Sequence, residues 1–106
     1  GLLVTLPKSF DQDPANIALA DAFKAKKEDP SGPFVFPSYS AVQVIAQAIT
    51  EAKSEDPEKV AEAIHAGTFK TPTGDLSFDD KGDLKDFKFV VYQWHFGKPK
   101  TEVSPQ

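Results

Sequence analysis

Apolar residues open the chain. Leu2, Leu3, Val4 and Leu6 run together until Pro7 closes them, which reads as a buried strand with neither cap nor linker before it. Asp13-Pro14 then signals a helix start, because the carboxylate can accept orphan amide hydrogens and proline is pre-set for the first helical position. Ile17, Leu19, Ala20, Phe23 and Lys24 follow with helical spacing and a one-sided apolar stripe, fraying near Lys27 to Asp29. Asp29-Pro30-Ser31-Gly32-Pro33 cannot continue a helix, so it is a loop.

Phe34, Val35 and Phe36 read as a short strand after that loop. Ser38 is placed to cap a second helix. In it Val42, Ile45, Ala46, Ile49 and Ala52 recur at three- and four-residue spacing, and Ala41, Val44 and Ala48 widen the arc until most sides look buried. Asp56-Pro57 repeats the cap-then-proline signal for a third helix over 57–66, with Val60, Ala61 and Ile64 facing inward and Gly67 placed for a left-handed stop. Beyond it Leu76 and Phe78 alternate with polar neighbours, Asp79 to Gly82 reads as a turn, and Phe87 to Phe96 as a long strand. The tail from Gly97 to Gln106 is polar and reads as frayed.

This order, strand-helix-strand-helix-helix and then C-terminal extended strands, is an α/β pattern, with a right-handed crossover expected if the first two strands share a sheet. Two short parallel strands cannot cover one another, so the pattern asks for partners beyond these residues.

Composition narrows the function. Charged residues are 26% and the hydrophobic class 40% of 106 residues, so the chain should fold. The net charge is -4 and the basic residues stand singly or in pairs; a phosphate backbone needs a clustered cationic face, so nucleic acid is not an expected partner. No apolar run approaches the roughly 20 residues of a membrane-spanning helix. Without cysteine there is no disulfide, thiolate nucleophile or cysteine metal site, and the compartment stays open on this ground.

Candidate chemistry is sparse. His65 and His95 fall on different elements without ligands at metal spacing, so no metal is expected. Asp79 to Asp83 imitates a calcium loop, but the twelfth position is Val90 instead of a bidentate glutamate, and a solvated turn is the better reading. Asp11 and Asp13 do not make an acid/base pair, because Asp13 serves as a cap. No serine sits in a nucleophile elbow and no glycine-rich phosphate loop occurs, so neither an enzyme nor a bound cofactor is expected. Phe34, Phe36, Phe87, Phe89 and Trp94 read as core or sheet-face packing. Tyr39 differs, since it follows the expected strand at its carboxyl end, where open α/β folds bind ligands. Its apolar face and hydroxyl suit a small amphiphile, and packing at the helix start is the rival role.

Taken in order, Leu3 to Asn16, Asp29 to Phe36, Tyr39-Ser-Ala-Val-Gln43, Asp80 to Phe87 and Tyr92-Gln-Trp-His95 resemble the last third of the Leu/Ile/Val-binding proteins that serve bacterial ABC importers. The resemblance runs from Gly1 to about Lys98, and it departs from familiar members at Phe36-Pro37-Ser38. It implies a C-terminal fragment of a two-lobed, type I periplasmic binding protein fold whose lobes close on the ligand. Residues 1–8 and 87–106 would belong to one lobe and 13–84 to the other, with a hinge near Ser9 to Gln12. Tyr39 would line the amino-acid pocket, while the groups that hold the ligand's carboxylate and ammonium would lie upstream of Gly1.

The resemblance also implies a periplasmic location, a branched-chain amino acid as ligand of the full-length form, and the membrane permease of an ABC transporter as partner. Two other readings stand beside it. One is a self-associating interaction fragment, joined through exposed strands and without ligand binding of its own. The other is a ligand-sensing receptor domain on the same fold.

Overall fold

The computed structural model describes residues 1–103. Two units can be recognised. The first is an antiparallel sheet of order β1-β4-β5, made by β1 (Leu3–Pro7), β4 (Phe89–His95) and β5 (Lys98–Glu102). The second holds α1 (Ile17–Ala25), α2 (Val35–Ala52), α3 (Pro57–Ala66) and a hairpin of β2 (Phe69–Thr71) and β3 (Gly74–Leu76). No Cα in a strand of the sheet comes within 8 Å of a Cα in a described helix or in the hairpin.

Asp13 caps as expected, its Oδ1 accepting from the Ala15 amide at 2.9 Å, but the turn it starts is a 3-10 turn over Pro14–Asn16 that leads into α1. The expected strand at Phe34 to Phe36 is not a strand. Phe34 is the N-cap of α2, and neither it nor Ser38 caps with a side chain. Pro37 sits at the third helical position, where the missing N–H would have had no intrahelical acceptor, so the ring is accommodated without loss. Placing Phe36 in the helix aligns it with Ser40, Val44 and Ala48, all buried and four residues apart. Val42 and Ile45 are exposed instead of buried, so the arc expected on most sides of α2 is covered on one side only.

α3 begins where Asp56 accepts from the Glu58 and Lys59 amides at 3.0 and 3.3 Å. It does not end in a left-handed glycine: Gly67 is extended, at φ -95° and ψ 166°. The chain turns directly toward β2, and the Phe69 ring packs against Gly67 so closely that a Cβ there would lie 2.7 Å from it. The glycine is therefore required by close approach and not by its backbone angles. Phe69, Val44 and Ala48 form the core cluster, with Val60, Ala63, Ile64, Leu76 and Phe78 around it.

The sheet corrects two further expectations. The first and last long strands pair antiparallel, with Leu3 opposite Gln93 and Pro7 opposite Phe89, so no parallel crossover exists among the described residues. The tail is not frayed at Lys98–Glu102, which forms β5 after Gly97 turns with φ +67°; Ser104 to Gln106 lie outside the described residues. A register shift between Gln93 and His95 kinks β4 against β5, whose outer edge carries Lys98, Pro99 and Lys100.

The molecule is extended. Its radius of gyration is 16.2 Å, against about 13 Å for a compact domain of this length. Its accessible surface is 7950 Å², against about 5,800 Å² expected from the size scaling of monomers.

Candidate functional site

Tyr39 lies in the second turn of α2, not at the end of a strand, so the positional argument from strand ends does not apply to it. It is 38% exposed, and its ring meets Phe23 of α1 edge-on at 6.1 Å between centroids. Phe23 also meets Phe36 at 6.1 Å, so the aromatic trio fixes the start of α2 against α1. Tyr39 presents what its packing leaves free: part of the ring and a hydroxyl for which no hydrogen bond is made among the described residues.

A groove of about 680 Å³ opens elsewhere, between the helices and the sheet. Pro37, Ala41 and Ile45 of α2, Ile64 of α3, Leu76 and Phe78 give it apolar walls. Tyr39 does not line it. Ile64, Leu76 and Phe78 also pack on the core cluster, so the groove is the uncovered side of that core more than a separate pocket. A contiguous apolar surface of this kind marks a place where something packs.

The remaining sequence candidates are placed as follows. His65 Nδ1 lies 3.2 Å from the Asp79 carbonyl and His95 Nε2 lies 2.7 Å from Thr101 Oγ1, each on a different unit. The Asp79 carboxylate accepts from the Lys81 and Asp83 amides at 2.9 Å, which closes the turn on itself. Asp29 is an exposed carboxylate held below its ordinary pKa by the Ser31 backbone amide, then by the Ser31 hydroxyl, with Lys24 adding a smaller push. No group of three or more acidic, histidine or cysteine side chains converges among the described residues.

Sequence reasoning did not single out the polar ties. Asn16 is 5% exposed, and its Nδ2 donates to the Phe10 carbonyl at 3.1 Å and the Pro72 carbonyl at 2.8 Å. Thr73 Oγ1 donates to the fully buried Ser40 Oγ at 3.2 Å, which joins the hairpin turn to α2. Tyr92, 5% exposed, accepts from the Ser9 amide at 2.8 Å. Ser40 carried a signal, since it falls four residues after Phe36 in an otherwise apolar line.

Comparison with known proteins interprets this arrangement. The family model of periplasmic binding proteins matches residues 1–99. The chain is 64% identical over 104 residues to the Leucine-, isoleucine-, valine-, threonine-, and alanine-binding protein of Pseudomonas aeruginosa, covering 98% of this chain and 28% of that protein. It is 46% identical over 104 residues to the Leu/Ile/Val-binding protein of Escherichia coli K12, again spanning 28% of its length. Among solved structures, a leucine binding protein from Thermotoga maritima superposes with a TM-score of 0.76 at 26% identity, over 98% of this chain and 30% of that one.

An ABC transporter solute-binding protein from R. palustris, solved with benzoate, gives the same TM-score of 0.76 at 20% identity, over 97% of this chain and 29% of its own, which supports the fold alone. The α/β arrangement is thus that of part of the two-lobed, type I periplasmic binding protein fold. By the family match over nearly all its length and the shared fold, the chain belongs to the periplasmic binding proteins.

Proposed function

We propose that this chain forms part of a periplasmic carrier that captures branched-chain aliphatic amino acids and delivers them to the membrane permease of an ABC importer, without catalysing a reaction. The observation that carries the reading is 64% identity across 98% of the chain to a protein named for binding leucine, isoleucine, valine, threonine and alanine. The fold alone would not choose the ligand, since a benzoate-bound protein shares it. No helix among the described residues is long and apolar enough to cross a membrane.

In this reading residues 1–8 and 87–106 belong to one lobe and residues 13–84 to the other; the lack of any Cα pair within 8 Å between the sheet and the helices or hairpin supports that division for residues up to 103. Tyr39 supplies an aromatic wall for the aliphatic side chain, which its partly free ring supports. The ligand's charged ends need buried partners from outside these residues, because an unpaired zwitterion is costly to bury.

The test is a chimera in which this chain replaces the matching 28% of the Pseudomonas aeruginosa protein. Calorimetry should detect leucine, isoleucine and valine, and Tyr39→Ala should weaken leucine by about tenfold or more, the loss of roughly 1.5 kcal/mol of apolar burial. A folded chimera that takes up none of the three overturns the reading.

A second reading, self-association of the chain, is favoured by a specific observation: among the described residues the outer edge of β1 has no strand partner, and its Leu3 is exposed. Light scattering of the chain over a concentration series should show a dimer; the monomer mass at every concentration refutes it.

A further inference from the structure

The described chain passes between the two units twice, through residues 8–13 and residues 77–88. With no Cα of the three-stranded sheet within 8 Å of a described helix or the hairpin, these crossings and the side chains that grip them set how the units face one another. The first crossing is gripped at both ends. At the sheet end the Ser9 amide donates to the Tyr92 hydroxyl at 2.8 Å, across 83 positions of sequence. At the helical end Asn16 holds the Phe10 carbonyl at 3.1 Å and the Pro72 carbonyl at 2.8 Å. Tyr92 and Asn16 are both buried, so water competes poorly for either tie. The free stretch is thereby cut to the few residues between Phe10 and Asp13, a length suited to a hinge that absorbs a large change in backbone angles.

We propose that Tyr92 is a positioning residue, whose hydroxyl latches the Ser9 amide and so fixes the direction in which the chain leaves the sheet for the helical unit. The ring and the hydroxyl have separate duties. The ring is part of the sheet face, where the Lys100 ammonium lies 5.2 Å from its centroid and 5.8 Å from that of Trp94. The hydroxyl reaches beyond the sheet to the crossing. Losing it removes one part-buried hydrogen bond, worth about 1.4 kcal/mol or a tenfold rise in the unlatched population. If the carrier reading holds, the latch biases the balance between open and closed lobes; that consequence rests on the proposed function, whereas the latch itself does not.

The chain has no cysteine, so two can be introduced as spin-label sites, at Glu58 in α3 and Glu102 in β5, without competing thiols. The distance distribution between them is measured by pulsed electron resonance in Tyr92→Phe, Ser9→Ala and Ser9→Pro backgrounds. Tyr92→Phe keeps the ring and should broaden the distribution while Trp94 emission is unchanged. Ser9→Ala keeps the backbone donor and should match the parent. Ser9→Pro removes the donor and leaves Tyr92 in place, so it should broaden the distribution even if Tyr92→Phe proves too unstable to study. A merely structural tyrosine would lower the melting temperature and leave the distance alone. Unchanged distributions in both Tyr92→Phe and Ser9→Pro overturn the proposal, and they do so whether or not the chimera binds leucine.

Discussion

Phe69→Ala asks whether the sheet and the helical unit are energetically separate. Phe69 is 0% exposed at the centre of the cluster with Val44 and Ala48. Removing its ring forfeits about 1.5–3 kcal/mol of transfer free energy, and the cavity left behind brings the cost to about 3–5 kcal/mol. Against the roughly 5–15 kcal/mol that stabilises a typical domain, this is a large fraction. With a slope of about 1.5 kcal/mol per M of urea, a loss of about 4 kcal/mol lowers the midpoint by about 2.7 M.

The chain supplies two independent probes. All the described helices lie in the unit that contains Phe69, and the one tryptophan, Trp94, lies in β4 of the sheet. Far-ultraviolet circular dichroism follows the helices and tryptophan emission follows the sheet. The dichroism midpoint should fall by that amount, while the emission midpoint moves by about 0.3 M or less, the spread seen for distant and uncoupled sites. Equal displacement of both midpoints would mean one cooperative core and would refute the separation.

Two further outcomes are expected. Lys53 ends α2 with φ +50°, a left-handed conformation that costs a side chain about 1 kcal/mol relative to glycine, so Lys53→Gly should raise the dichroism midpoint by about 0.7 M of urea. The Asp29 carboxylate has its folded pKa depressed by the Ser31 amide and hydroxyl, so it binds a proton less readily folded than unfolded. Its stabilising effect is full above the unfolded value near about 3.9 and is lost as pH falls through the lower folded value. Carboxyl resonances followed by NMR should show Asp29 titrating below free aspartate, and Ser31→Ala, which keeps the amide, should return only part of the difference.

Much of the helical unit was legible because its signals are local. Asp56-Pro57 marks the start of α3 through a cap whose two amide bonds are present, and Asp29 to Pro33 breaks the chain where α1 and α2 are separate. The start of α2 was misread because three apolar residues before a proline look like a strand, and only packing against Phe23 rewards Phe36 in a helix. The hairpin escaped notice since Phe69–Thr71 and Gly74–Leu76 are three residues each, too short to display a period of two. β5 is polar and contains Pro99; its strand character comes from pairing with β4, a tertiary effect that residue preference does not carry. For the candidate site, Tyr39 rests on its position and on the family resemblance, while the ties from Asn16 and Tyr92 join residues 56 and 83 positions apart and leave no local mark.

The unequal borders of the sheet limit what can be built from it. On one side lysines and a proline on β5, and a bulge in its pairing with β4, discourage a newcomer, whereas β1 has no strand partner on its other side among the described residues. Two copies meeting along β1 about a twofold axis would make one continuous ribbon of six strands, twice the three in each copy, sealed at both ends. If the chain self-associates as proposed, growth along this direction would stop there, at a finite pair and not a fibril.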